Sequence, residues 1–273
     1  MKIIVSSLKD LASITIKNQL IKNYPFEKRD EYLKNECYSY KDILLITIDH
    51  ELIFAEYIEN AFKADMYIMA SCHKSESNRP SLLVHTPGNW GEENLYGGAP
   101  YSLGVSNSDF IKKALIELDR EKNEKNLLYD VSLEVTHHGP TTMNTPITFI
   151  ELGSTKKEWN DEMGAHSVAI SIMNALRDTT TYESVVGIGG THYAPQFNKL
   201  VRTTEYSISH IIPKHALYDL TIDMFRAAFT RSMNTAKFAA LDWKGLTSNQ
   251  RKMIIKYCDK LKIAYKKVKD ILH

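Results

Sequence analysis

The segment KIIVSSLKDLASITIKNQLIKNY, residues Lys2 to Tyr24, indicates the fold class. Residues 2–7 form a short apolar, β-rich run, which is typical of a buried strand. Residues 11–24 then place apolar side chains at helical spacing. Lysines and an aspartate interrupt the segment, so it lacks the continuous apolar region of a secretory signal peptide. The segment therefore predicts a strand followed by a helix.

The same alternation continues along the chain. Apolar, β-rich runs predict further strands at residues 43–49, 52–58, 66–72, 81–86, 131–137, 147–153, 183–190 and 208–213. Helical spacing predicts helices at residues 109–123, 159–178, 215–232 and 248–262. Strands that alternate with helices are typical of βαβ units. We therefore predict one α/β domain spanning residues 1–273, with long inserted loops and a mostly parallel or mixed sheet sandwiched by helices.

The composition is that of an ordinary globular protein. Hydrophobic residues make up 43% of the 273 residues and charged residues 25%, with a net charge of +1. A chain of this length can bury a large core without disulfides or a structural metal. The three cysteines, Cys37, Cys72 and Cys258, form no CxxC pair, which favours a reducing, cytoplasmic location. No run of 18 apolar residues occurs, so we predict no membrane span.

Polar side chains cluster where predicted strands end. In open α/β sheets, ligands bind in the crevice at the carboxyl ends of the strands. The sequence therefore predicts a site at this edge. Its candidate residues from four strand ends are His73, Lys74, Glu76, His85, Glu151, Thr191 and His192.

A fifth strand end carries EVTHHGPTT, residues Glu134 to Thr142, with two adjacent histidines. Neighbouring side chains of a regular strand point to opposite faces, so His137 and His138 could not act together within one. Before Gly139 and Pro140, however, the chain leaves the pleat. Both imidazoles can then face one cleft.

The histidines at strand ends indicate a metal site. Three histidines and a carboxylate, with one position open, fit a catalytic zinc ion that lowers the pKa of a bound water to about 7. Glu76, Glu134 and Glu151 could complete the coordination or act as general base. No HExxH motif is present, and each histidine taken alone could instead be a hydrogen-bonded loop or core residue.

Two glycine-rich segments have alternative interpretations. GIGGTH (187–192) could cradle a phosphate, but it lacks the spacing of known nucleotide-binding loops and no clear helix follows it. We prefer a tight turn that brings His192 to the cleft. In TPGNWGEENLYGG (86–98), Trp90 and Tyr96 could stack on a base or could simply anchor a long loop.

Residues 251–273 are strongly basic. They contain one Arg and seven Lys against two Asp, with tyrosines among the lysines. This composition suits salt-sensitive contact with an RNA backbone. A solvated amphipathic helix with lysines on its wet face is the alternative.

Six motifs together resemble those of the archaeal and plant type of D-aminoacyl-tRNA deacylase. They run in order over nearly the whole chain and are SCHKSE (71–76), HTPGNWG (85–91), LEVTHHGPT (133–141), FIELGST (149–155), GIGGTHYAP (187–195) and HIIPKHAL (210–217). The resemblance implies a hydrolase that cuts the ester between a D-amino acid and the 3′ end of tRNA and so recycles mischarged tRNA. It also implies zinc, with two ions per subunit, and a fold similar to phosphorylase-like and peptidyl-tRNA-hydrolase-like α/β proteins.

Two positions depart from the family's motifs. Cys72 stands where the first motif usually has an arginine, which weakens the expectation of a guanidinium contact to phosphate there. Thr191 stands where the glycine-rich motif usually has a third glycine, which weakens the expectation of a close backbone approach to substrate.

The residues and the resemblance together give one set of expected roles. The expected zinc ligands are His137, His138, His192 and Glu134. The expected catalytic groups are Lys74, Glu76, His138 and Glu134. The expected substrate contacts are His73, His85, Asn89, Trp90, Glu151 and Thr191. The lysines expected to contact tRNA are Lys256, Lys260, Lys262, Lys266 and Lys267.

Two other functions fit parts of the pattern. A zinc-dependent peptidase or amidohydrolase acting on a small substrate would share the histidines but would not need the basic segment. A non-catalytic RNA-binding protein could use zinc to stabilise its loops. In each case we expect a cytoplasmic monomer or small homo-oligomer.

Overall fold

The computed structural model describes residues 1–32 and 34–272. Its strands are β1 (Lys2–Ser7), β2 (Glu27–Tyr32), β3 (Asn35–Tyr40), β4 (Ile43–Ile48), β5 (Met66–Lys74), β6 (Ser81–His85), β7 (Gly88–Asn89), β8 (Ser102–Leu103), β9 (Asp130–Leu133), β10 (Ile147–Ser154), β11 (Glu183–Ile188), β12 (Tyr206–Ile212), β13 (Phe238–Leu241) and β14 (Ala264–Lys267). Its α-helices are α1 (Leu11–Asn23), α2 (Ser108–Glu124), α3 (Lys156–Trp159), α4 (Glu162–Arg177), α5 (Pro195–Thr203), α6 (Ile222–Thr230), α7 (Ser248–Leu261) and α8 (Val268–Ile271). Short 3-10 helices cover Leu52–Asn60, Lys214–Tyr218 and Trp243–Gly245.

Most of these strands lie in two sheets. The first has eight strands in the order β2-β3-β4-β1-β5-β10-β6-β9, and the second has four in the order β12-β11-β13-β14. In the first sheet β4, β1, β5 and β10 pair in parallel, whereas β6 pairs antiparallel to β10. The second sheet is parallel throughout. The predicted α/β class with a mixed sheet flanked by helices is confirmed, although the strands form these two sheets and a separate two-stranded sheet of β7 and β8 rather than one sheet.

Apolar side chains cover both faces of the first sheet. Ile4 belongs to the core that packs under α1, α2 and α4, whereas Ile3 and Val5 pack with the 3-10 helix Leu52–Asn60 on the other face. Alternate residues of a strand point to opposite faces, which places these neighbours in different cores. Because both faces are covered there, the central strands β1, β4, β5 and β10 carry apolar residues on both faces rather than alternating.

Asp10 ties α1 to the carboxyl end of β5. As the N-cap, its carboxylate accepts a hydrogen bond from the Ser13 backbone N–H at 2.9 Å, a contact that contributes about 1 kcal/mol. The same carboxylate accepts from Ser71 Oγ at 3.1 Å and from the Cys72 N–H at 2.8 Å. Burial raises the pKa of Asp10, and the hydrogen bonds from Ser13 and Cys72 oppose that shift. The backbone just before His73 is therefore fixed.

One predicted strand is wrong, and a second is shorter than predicted. Residues 52–58 form a 3-10 helix, in which Leu52, Ala55 and Ile58 recur every three residues on the buried side. The strand predicted at 131–137 ends at Leu133. The residues after it leave the sheet and enter the candidate site.

The helix predictions also need correction. The helix predicted at 159–178 is confirmed as α4, but it begins at Glu162, because Asp161 caps it by accepting from the Met163 N–H, and Trp159 instead ends the short α3. The helix predicted at 215–232 is a 3-10 helix followed by α6, which Thr221 caps. A helix does follow the glycine-rich segment, since α5 begins at Pro195. The strands that were not predicted are β2, β3, β7, β8, β13 and β14.

The basic carboxyl-terminal segment is folded as far as the structure describes it. The helix predicted at 248–262 is confirmed as α7, and the next residues form β14, which pairs with β13, and α8. His273 lies outside the described residues. Among the described helices, each is too short or too polar to cross a bilayer.

Candidate active site

A cluster of histidines and glutamates lies where the two sheets meet. His73 is the next-to-last residue of β5, His85 ends β6 and Glu151 lies within β10, all in the first sheet. The second sheet contributes a residue that follows β11. The seven side chains of the cluster are His73, His85, Glu134, His137, His138, Glu151 and His192.

The backbone after β9 explains how two adjacent histidines reach the same cleft. His138 has a φ of 47°, which is the left-handed region and interrupts the alternation of an extended chain. The rings of His137 and His138 consequently lie 4.4 Å apart between centroids. The His85 ring lies 4.3 Å from His137 and 4.7 Å from His138. The predicted convergence of these imidazoles is what the structure shows.

Glu151 is surrounded by three imidazoles. Its carboxylate oxygens lie 3.4 Å from His73 Nδ1, 3.4 Å from His85 Nε2 and 3.7 Å from His138 Nε2. Burial opposes ionisation of this side chain, but hydrogen bonds from His138, His73 and His85 outweigh that effect and hold its pKa well below the ordinary value. Glu151 is therefore an anion in a buried site.

Glu134 carries an unpaired buried oxygen. Its Oε1 lies 2.7 Å from His192 Nε2 and 3.5 Å from His73 Nδ1. Its Oε2 has no hydrogen-bond partner among the described residues, and His85 Nε2 lies 3.9 Å away. An unsatisfied oxygen in a buried carboxylate is costly. This position therefore calls for a proton donor or a cation.

Backbone carbonyls orient several of the imidazoles. His137 Nδ1 lies 2.8 Å from the Val135 carbonyl, and His138 Nδ1 lies 2.7 Å from the Gly139 carbonyl. A carbonyl can only accept, so the Nδ1 of each ring carries a proton, which fixes the orientation of both imidazoles. Burial, and then the neighbouring imidazoles, hold the pKa of His137 well below its ordinary value. His137 is thus neutral, the form that binds metals.

The histidines beside the carboxylates behave differently. Burial lowers the pKa of His73 and of His85, but the hydrogen bonds to Glu151 and the charges of Glu134 and Glu151 outweigh it and raise both pKa values. The cluster therefore combines the neutral imidazole of His137 with imidazoles that face anions.

Three overlapping groups in the cluster could hold a metal ion. In each group the ligand atoms lie within 4.8 Å of one another. His137 belongs to two groups and Glu134 also belongs to two. The groups are His85 with His137 and His138, Glu134 with His137 and His192, and His73 with Glu134 and Glu151.

Some predicted site residues lie outside this cluster. Lys74, Glu76 and Thr191 are exposed, and none of them forms a hydrogen bond or ion pair with the cluster within the described part of the chain. Lys74 follows His73 directly on β5, so its side chain points to the opposite face of the strand.

Asn89 and Trp90 are buried in loop contacts. Asn89 Nδ2 donates to the carbonyls of Gly97 and Ala99, at 2.8 Å and 3.1 Å. The Trp90 indole N–H donates to the Thr136 carbonyl at 2.8 Å. Tyr96, on the same loop, is instead 72% exposed. Tyr96 is therefore the aromatic ring of this loop that solvent can reach.

The sequence reasoning assigned no role to Tyr193. Its hydroxyl lies 3.2 Å from His73 Nε2 and donates to Ser75 Oγ at 3.2 Å. The signal was its place directly after His192, in a motif that already indicated the site.

The lysines predicted to contact RNA lie on α7, at its carboxyl-terminal cap and on β14. We call this set the basic surface; it consists of Lys256, Lys260, Lys262, Lys266 and Lys267. At its edge, Lys267 Nζ lies 4.6 Å from the centroid of the Trp243 ring, and the Arg251 guanidinium lies 4.8 Å from it.

A chain of hydrogen bonds links α7 to the loop that carries His192. Gln250 Nε2 donates to the Lys214 carbonyl at 3.1 Å, and the Lys214 N–H donates to the Gly190 carbonyl at 3.2 Å. Gly190 is two residues before His192. The helix that begins the basic segment is therefore anchored next to the candidate active site.

Known proteins share this sequence and this fold. A family described as D-aminoacyl-tRNA deacylase matches residues 60–266. The D-aminoacyl-tRNA deacylase of Pyrococcus furiosus is 32% identical over 272 residues, which cover 97% of this chain and 99% of that protein. The protein of the same name from Thermococcus kodakarensis is 34% identical over 264 residues, with 93% and 94% coverage. A crystal structure of a conserved protein of unknown function is 29% identical, with a TM-score of 0.93 over 100% of this chain and 96% of that one. The chain therefore belongs to the D-aminoacyl-tRNA deacylase family.

Proposed function

We propose that this chain hydrolyses the ester between a D-amino acid and the 3′ end of tRNA, with zinc as cofactor, and so recycles mischarged tRNA. The observation that carries the proposal is the buried cluster of five histidines and two glutamates in a chain of this family. We propose further that residues 1–273 act as one catalytic domain, because the cluster draws side chains from both sheets.

The donor set supports zinc. Imidazole nitrogens and carboxylate oxygens are common zinc ligands, and two such ligands of a tetrahedral ion lie roughly 3.4 Å apart. His73 Nδ1 lies 3.4 Å from Glu151 and 3.5 Å from Glu134. A cation would also compensate the unpaired Glu134 Oε2. We propose two ions, because the three groups adjoin through His137 and Glu134.

The protein groups of the cluster would divide the work of ester hydrolysis. When bound, zinc would polarise the ester carbonyl and favour deprotonation of water. Glu134 and His138 would move the protons of the water and of the leaving ribose oxygen. His137 and His192 would hold the metal with Glu134, while His73, His85 and Glu151 complete the cluster. Lys74 and Glu76, which the sequence suggested as catalytic groups, and Thr191, which it suggested as a substrate contact, lie at the exposed rim and carry no role in this scheme.

The decisive test uses zinc-loaded and chelated protein with D-tyrosyl-tRNA and L-tyrosyl-tRNA. We expect release of the D-amino acid by the loaded protein, little release of the L-amino acid, and loss of both after chelation. Tyrosine release is measured over time, with chelated protein reloaded with zinc as control. Equal rates for the two enantiomers would contradict a D-specific deacylase, and unchanged rates in chelator would contradict a zinc enzyme.

A peptidase or amidohydrolase remains the alternative function, and a non-catalytic RNA-binding protein is the other. The same experiment separates them, since neither would release amino acid from tRNA in a metal-dependent way. We also propose a cytoplasmic site of action and a monomer or small homo-oligomer. The three free cysteines agree with a reducing compartment.

We propose that the basic surface contacts the tRNA backbone and that Tyr96 stacks on a base near the ester. Replacing Lys256, Lys260 and Lys266 together by alanine should weaken tRNA binding most at low salt. The slope of log affinity against log salt should become shallower by up to roughly 0.9 for each phosphate that is no longer neutralised. A matched variant with alanine at the exposed Lys9, Lys41 and Lys63 serves as control. Equal slopes for the two variants would place tRNA elsewhere.

A further inference from the structure

Tyr193 links the two halves of the site. Its hydroxyl lies between His73 Nε2 and Ser75 Oγ, at 3.2 Å from each. Its backbone carbonyl is fixed by hydrogen bonds from Ser132 Oγ at 2.8 Å and from Asn198 Nδ2 at 2.7 Å. A residue that follows the second sheet thus places a hydroxyl group against a histidine of the first sheet.

The direction of these hydrogen bonds decides which nitrogen of His73 carries a proton. A phenol has one O–H, and that of Tyr193 is donated to Ser75 Oγ. The Tyr193 oxygen must then accept from His73 Nε2–H. The other ring nitrogen, Nδ1, lies 3.4 Å from Glu151 and 3.5 Å from Glu134. Good N–H···O hydrogen bonds are 2.7–3.2 Å long, so the proton contact from His73 to the carboxylates in the metal-free site is a long one, and a cation between Nδ1 and the carboxylates can replace it.

We propose that Tyr193 is a positioning residue that holds His73 in the Nε2-protonated tautomer and so leaves Nδ1 free to bind metal. The inference rests on the metal site proposed above. Tyr193 acts through His73 and needs no contact with the substrate. Partners of this kind that fix a ligand histidine strengthen metal binding by about 10- to 100-fold.

The test is Tyr193→Phe, which removes the hydroxyl and keeps the ring. We expect zinc affinity, measured in competition with a chromophoric chelator, to fall about 10- to 100-fold. Saturating zinc should restore kcat for D-aminoacyl-tRNA, and KM should not change. A merely structural tyrosine would change the urea unfolding midpoint without selectively weakening zinc binding.

Two further variants sharpen the result. Ser75→Ala removes the acceptor, so the Tyr193 O–H can turn and donate to His73 Nε2; we expect weaker zinc binding in this variant too. Tyr57→Phe is the control, since its hydroxyl lies 3.5 Å from Nδ1 of His50 outside the cluster, and its zinc affinity should match wild type. Wild-type zinc affinity in Tyr193→Phe would overturn the inference while leaving the proposed function intact. Absence of zinc binding by the wild-type protein itself would overturn both.

Discussion

Changing Glu134 to glutamine is expected to lower kcat for D-aminoacyl-tRNA by about 10²- to 10⁴-fold, the range for loss of a general acid–base group. Glu134 belongs to two of the three possible metal groups. It also forms the shortest contact within the cluster, at 2.7 Å to His192 Nε2. Glutamine keeps the size but loses the charge. Initial rates at saturating zinc, together with bound zinc per protein, measure the effect.

The same change should not destabilise the metal-free protein. Glu134 is 2% exposed, and its Oε2 has no partner among the described residues. Removing a buried, partly unpaired charge relieves a desolvation cost. If Glu134→Gln loses activity but keeps its free energy of unfolding, Glu134 serves catalysis rather than stability. Urea unfolding in chelator measures this.

Glu76→Gln is the matched control, because Glu76 is an exposed carboxylate on the loop after β5. Its expected effect on kcat is small, since no cluster residue within the described chain contacts it. If Glu76→Gln reduced activity as much as Glu134→Gln, the reacting groups would lie on the exposed loop, as the sequence-based assignment of catalytic roles supposed.

The sequence predicted an element of the fold only where that element's own residues carry a clear apolar pattern. β1 and β10 each contain a short apolar, β-rich run and are recognisable alone. β2, with the sequence EKRDEY, is an exposed edge strand without an apolar face. Its partner β3 and the register between them hold it in place. Nothing in its own residues could have predicted a strand.

Other misses had a readable signal. In α5, Phe197, Leu200 and Val201 are buried and recur at helical spacing, and Pro195 lies at the first position of the helix, where proline is favoured. The run Leu52 to Ile58 is apolar enough for a strand, but its buried residues recur every three positions. Periodicity would have distinguished these two elements from their alternatives.

The sequence predicted that the site lies at the ends of strands, but it was less informative about the role of each residue within the site. His73 and Lys74 are neighbours in one sequence motif, but as adjacent residues of β5 their side chains point to opposite faces of the sheet. His85 and Phe149 are register partners on β6 and β10, and Glu151, two residues beyond Phe149, shares its face. Such cross-strand pairing is a long-range property. It brings His85, Glu151 and His73 together in the cluster, whereas the sequence suggested substrate contacts for all three and, for Glu151, also metal coordination or a general-base role.

Changing Gly139 to alanine is expected to destabilise the protein and to disrupt the site together. A Cβ at Gly139 would overlap backbone atoms of Gly98 and Gly97 and would lie 2.6 Å from the Ile53 carbonyl oxygen. Backbone atoms cannot move aside as a flexible side chain can. Overpacking of this kind costs about 1–3 kcal/mol or more. The loop that carries Tyr96 would have to separate from the turn that carries His138, because the Gly139 N–H donates to the Tyr96 carbonyl at 2.9 Å.

Gly91→Ala is the matched control, since a Cβ at Gly91 meets nothing within 4 Å. Urea unfolding of both variants gives the difference in stability, and D-aminoacyl-tRNA hydrolysis at a temperature where both are folded gives the effect on the site. We expect Gly91→Ala to match wild type in both. If Gly139→Ala were equally stable and active, the turn after His138 could shift without displacing its imidazole. The close packing of three backbone segments would then not be what aligns His137 with His138.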